Sequence, residues 1–179
     1  MLSRVVDRGA ITAAFVGIGM AVTIGVSFLL VIPVEPVYWY LSIPAGLLVG
    51  YYADARSRRE RGAWARILAN ATFAGLATGL TLAALLLGVK ALFFVADDGY
   101  RDPGLGGRIT CTPGGDCVYR RYLDEQPDAL ASAGVTDAAT FSVYYWAQQR
   151  STAGLILGLA FGAGIAGGAL YGISRPRTA

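Results

Sequence analysis

The sequence predicts an all-α integral membrane protein, a four-helix transmembrane bundle with a disulfide-containing extracytoplasmic segment between the third and fourth helices. Three observations predict it. Of the 179 residues, 55% are hydrophobic and 15% are charged, where a soluble domain carries about 25% charged residues. The charges crowd between four long apolar stretches, as a bilayer core demands, because an unpaired charge there is costly. Basic residues also fall on alternate connections, which fixes an orientation.

The first apolar run is Ala10 to Ile32, preceded by Arg4 and Arg8. It is longer than a typical signal-peptide core, and Pro33-Val34-Glu35-Pro36 follows without a small-x-small cleavage site. An uncleaved first helix is therefore expected. The second run, Val37 to Ala53, is short. Tyr38, Trp39 and Tyr40 open it and Tyr51 and Tyr52 close it, at the two levels where aromatic rings anchor in headgroups. Pro44 lies inside it and removes one backbone hydrogen bond, so a kink is expected there.

The third run, Ile67 to Val95, would rise about 43 Å as a helix, more than a hydrocarbon core of about 30 Å. Either it tilts or its outer end projects, and Lys90 can snorkel to the outer headgroups on its long stem. The fourth run, Thr152 to Ile173, is uncharged and ends before Arg175 and Arg177.

The positive-inside rule gives the sides. Arg4, Arg8, Arg56, Arg58, Arg59, Arg61, Arg66, Arg175 and Arg177 share one side. The long connection from Ala96 to Arg150, on the other, holds five arginines against eight acidic residues. Both termini are thus expected in the cytoplasm of a bacterial cell. The organisation follows as 1–95 (tail and helices one to three), 96–150 (extracytoplasmic) and 151–179 (last helix and tail).

Cys111 and Cys117 are the only cysteines, and both lie in the extracytoplasmic segment. Pro113-Gly114-Gly115 is a turn signal that can bring the thiols together, and an oxidising face makes a disulfide the expected state. A short first outer loop before a larger disulfide-bearing second one resembles tetraspanins in topology alone. The double-cysteine-glycine signature of that family is absent.

Each run carries small residues four apart, and hence on one helix face. They are Ala13, Gly17, Ala21 and Gly25, then Ser42, Gly46 and Gly50, then Ala71, Gly75, Gly79 and Ala83. The last run has two sets, Gly154, Gly158 and Gly162, and Gly164, Gly168 and Gly172. Small faces let backbones approach closely, so that dispersion acts along a seam. Two readings stay open: the seams pack this chain's own bundle, or a seam on the last helix docks another subunit, in which case Gly168→Leu would release it.

Sites of chemistry are scarce. With no histidine, haem ligation through imidazole and a Ser-His pair are excluded. Basic residues flank membrane runs rather than forming an aromatic-studded basic face, so no nucleic-acid partner is expected. No phosphate-binding loop, nucleophile elbow or zinc motif occurs. Asp97, Asp98 and Asp102 are the weak candidates for a metal, and solvated turn residues are the simpler account. Asn70 and Asp54 lie near the inner end, and no carboxylate pair sits at mid-depth.

Beyond the disulfide, Tyr122 to Ala133 and Thr136 to Arg150 read as helices, the second capped by Thr136-Asp137. Its Phe141, Tyr144, Tyr145 and Trp146 suit an interfacial helix on the outer headgroups, or packing within the segment itself, or a partner. No cofactor is expected beyond structural lipid. The expected partners are the bilayer and other membrane subunits or further copies of the chain. The leading expectation is a non-catalytic accessory subunit. The alternatives are a transporter or oligomeric channel component, and a membrane sensor or enzyme using the outer segment.

Overall fold

The computed structural model describes residues 6–30, 35–57, 63–96 and 111–174, apart from the side chains of 27–38. Every element among the described residues is a helix: α1 (Arg8–Leu30), α2 (Glu35–Ser57), α3 (Trp64–Ala96), α4 (Gly115–Glu125), α5 (Pro127–Ser132) and α6 (Ala138–Ser174). Three of them are long and apolar enough to cross a membrane: α1 over Arg8–Val26, α3 and α6. The expected four-span bundle is thus seen in part. Helix α2 has a span's length but carries Glu35, Asp54 and Arg56, and it runs unbroken through Pro44.

The chain forms two compact units. The first comprises Met1–Leu86 and Ala153–Ala179, the second Leu87–Thr152. In the first, Val6, Ala10, Ala13, Val49, Ala53 and Ala74 form a buried cluster, with Met20 and Phe73 packed against it. Most of these residues are alanines. Small side chains at these positions let the helices approach closely, beside the buried Ile67, Leu86 and Ile156.

The second unit has an aromatic core. Val118, Leu130, Val135, Phe141 and Tyr145 are buried, and Phe94, Tyr119, Tyr122, Tyr144 and Trp146 pack against them. The cysteines are bonded, Cys111 to Cys117, with Cα atoms 5.4 Å apart. Gly114 takes φ 140°, in the region glycine alone adopts freely, and its carbonyl accepts from the Cys117 and Val118 amides at 3.0 and 3.2 Å. This turn starts α4.

The single helix expected over 122–133 is in fact two. Proline favours the first helical position, where its missing N–H costs nothing, and Pro127 opens α5 there, after Gln126 has capped α4. Helix α5 ends in a Schellman turn: Gly134 (φ 68°) donates to Ala131 and Val135 donates to Leu130, at 3.1 and 3.0 Å. The accompanying apolar contact is supplied by Leu130 and Val135, both in the core cluster.

Helix α6 begins at a reciprocal cap. The Asp137 carboxylate accepts from the Thr140 amide at 2.8 Å, and the Thr140 hydroxyl oxygen accepts from the Asp137 and Thr136 amides at 3.1 and 3.2 Å. The helix then continues without a break for 37 residues, about 56 Å. The segment expected as an interfacial helix running into the last apolar run is its first third. Phe141 and Tyr145 point into the core of the second unit, 0% and 4% exposed, so self-packing accounts for them. Residues of that segment contribute the N-terminal turns of one long helix because no glycine or proline separates Thr136 to Arg150 from the apolar run.

Candidate functional site

Glycine faces hold the first unit together. A Cβ built on Gly50 would overlap the carbonyl oxygen of Gly164, and one on Gly46 that of Ala160. Gly75 would meet the Ala160 oxygen at 3.1 Å and Gly164 Cα at 3.2 Å, and Gly79 would meet Leu157 Cδ1 at 3.0 Å. So α2 and α3 both present their small faces to α6. Helix α1 uses its own: Ala13 and Ala21 are fully buried, a Cβ on Gly17 would overlap the Thr78 hydroxyl, and one on Gly25 would meet Leu85 at 3.0 Å.

The two glycine sets of α6 part company. A Cβ on Gly164 would come to 2.9 Å from Gly75 Cα, one on Gly168 to 2.5 Å from Ala71 Cβ and one on Gly172 to 2.8 Å from the Trp64 ring. That set faces inward, so Gly168→Leu would strike α3 before any partner. Gly154, Gly158 and Gly162 face the other way: all are exposed, and a Cβ on any of them would meet nothing within 4 Å among the described residues. Gly167, against Leu47 and Tyr51 of α2, and Gly9, against Ser57, are contacts that four-residue spacing did not single out.

A second feature is polar. Asn70, fully buried on α3, accepts from the Asp7 backbone N–H at 3.1 Å and donates to the Asp7 carboxylate at 2.9 Å. The same amide nitrogen lies 3.3 Å from Asp54 Oδ1 and 3.4 Å from Ser57 Oγ, and the Ser57 hydroxyl donates to Ala53 O at 2.8 Å. Asp54 is fully buried as well. One amide thus gathers the start of α1, the end of α2 and the first turns of α3. A buried amide must be satisfied, or it costs the desolvation of both its atoms. Here its partners come from two other helices.

Elsewhere in the first unit the polar side chains turn back on their own helices. Thr78 donates to Ala74 O at 2.9 Å, Thr81 to Ala77 O at 2.8 Å and Ser42 to Trp39 O at 2.8 Å, the usual way a hydroxyl is met in an apolar helix. Among the described residues no group of three or more His, Cys, Asp or Glu could hold a metal. Asp97, Asp98 and Asp102 lie outside the described residues, as does the Tyr38 side chain. Trp39 and Tyr40 are exposed, Tyr40 by 74%.

In the second unit, Tyr145 donates from its hydroxyl to Lys90 O at 3.3 Å. Its ring lies 4.9 Å from Phe94 and 5.3 Å from Trp146. Tyr144 and Trp146 are half-buried beside it. The Asp137 carboxyl is held below the ordinary carboxylate range, first by its backbone and then by its side-chain hydrogen bond from Thr140. Partial burial pushes the Glu125 carboxyl up.

No family model, curated protein or solved structure matches this chain.

Proposed function

We propose that the chain is a small non-catalytic subunit of the bacterial cytoplasmic membrane. In this reading α2 spans along with α1, α3 and α6, both termini are cytoplasmic, and the protein packs against other membrane subunits or further copies of itself. The observation that carries it is the open face of Gly154, Gly158 and Gly162. In a helix interior each glycine costs about 1 kcal/mol relative to alanine. The inward glycines are accounted for by close contacts with backbone or side chains that a larger residue would crowd. These three have no such contact among the described residues, and small faces are what membrane helices use to meet one another. The basic residues gathered on one side and the disulfide on the other support the orientation. The mutual pairing of Asn70 with Asp7 supports a structural role for the buried polar groups over a conducting path.

The test is purification in mild detergent, with the mass of the particle measured for the wild type and for Gly158→Leu. The wild type is expected as an assembly, with itself or with companion chains, and Gly158→Leu as a monomer of unchanged helicity. A wild-type monomer without companions, or an assembly indifferent to Gly158→Leu, would sink the proposal. So would ion flux by the purified chain in proteoliposomes.

A further inference from the structure

No further inference is drawn: the strongest candidate, the fully buried Gln149 side chain on α6 in the second unit, has no hydrogen-bond partner for either amide atom among the described residues, but nothing in the structure shows what would pair with it.

Discussion

Replacing Gly50 by alanine adds one methyl group at the tightest kind of contact in the first unit. The new Cβ would lie 2.7 Å from the Gly164 carbonyl carbon and 2.8 Å from its Cα, where ordinary contact begins at 3.4 Å. The atoms struck are backbone, so no rotamer change relieves the overlap. Helices α2 and α6 must part by about 1 Å at this level, because the Gly164 carbonyl oxygen is overlapped more deeply than its carbon, and a gap of that order forfeits up to about half of each dispersion well along the seam. Overpacking of this kind costs about 1–3 kcal/mol, and the better helix propensity of alanine returns about 1 kcal/mol. A net loss of up to about 2 kcal/mol is expected for Gly50→Ala. At Gly158 the same methyl meets nothing within 4 Å, so Gly158→Ala should hold or gain stability within the monomer, by at most about 1 kcal/mol. Reversible unfolding in mixed micelles, followed by circular dichroism, measures both. If Gly50→Ala proves as stable as Gly158→Ala, the backbone contact between α2 and α6 is not what holds them.

Asn70→Ala removes both the acceptor of the Asp7 N–H and the donor to its carboxylate. Hydrogen bonds to charged groups are worth about 1.5–3 kcal/mol each, so the same unfolding assay should record a loss in that range, with faster amide exchange around Asp7. Asn70→Asp should be worse, since it sets a third carboxylate beside Asp7 and Asp54. The Asp137 cap carries a pH signature. Its carboxyl titrates lower when folded, so its contribution is complete above the ordinary carboxylate range and is lost as pH falls through the folded value. Protection of the Thr140 amide, corrected for intrinsic exchange, should therefore drop in acid, and Asp137→Asn should flatten that dependence. Phe141→Ala empties the middle of the aromatic core, where the rings of Tyr119, Tyr122 and Tyr145 lie 5.3, 5.1 and 5.9 Å away. Such a cavity costs about 3–5 kcal/mol, and near-ultraviolet dichroism from Tyr145 and Trp146 should collapse; an unchanged spectrum would mean that the second unit is not packed on Phe141.

Helices were legible in the sequence wherever the signal is local. An apolar run bounded by arginines and a glycine or alanine at every fourth position both report on a single helix. What such spacing leaves open is the neighbour. Gly154 to Gly162 and Gly164 to Gly172 look alike along the chain, yet a Cβ on the second set would crowd α3, whereas on the first it would meet nothing among the described residues. The difference lies in where α2 and α3 dock, which is a property of the whole unit. The aromatics of early α6 were ambiguous for the same reason. A ring that can anchor in headgroups can equally fill a core, and the cover for Phe141 and Tyr145 comes from α4, α5 and Phe94 on α3. The division of α4 from α5 was, by contrast, available locally in Pro127. The role of Asp7 was not, because its partner Asn70 stands 63 residues away.

That separation bears on how the chain is made. Synthesis runs from the first helix to the last, so the Asp7 backbone N–H waits for Asn70 until α3 has left the ribosome. The small faces of α2 and α3 wait longer still, because the backbone they are shaped to receive belongs to α6. Until α6 is made and docks, the small faces of Gly46, Gly50, Gly75 and Gly79 stand open to any passing helix. The nascent protein is therefore most exposed to mispairing in the interval during which the disulfide-bearing segment between α3 and α6 is being made.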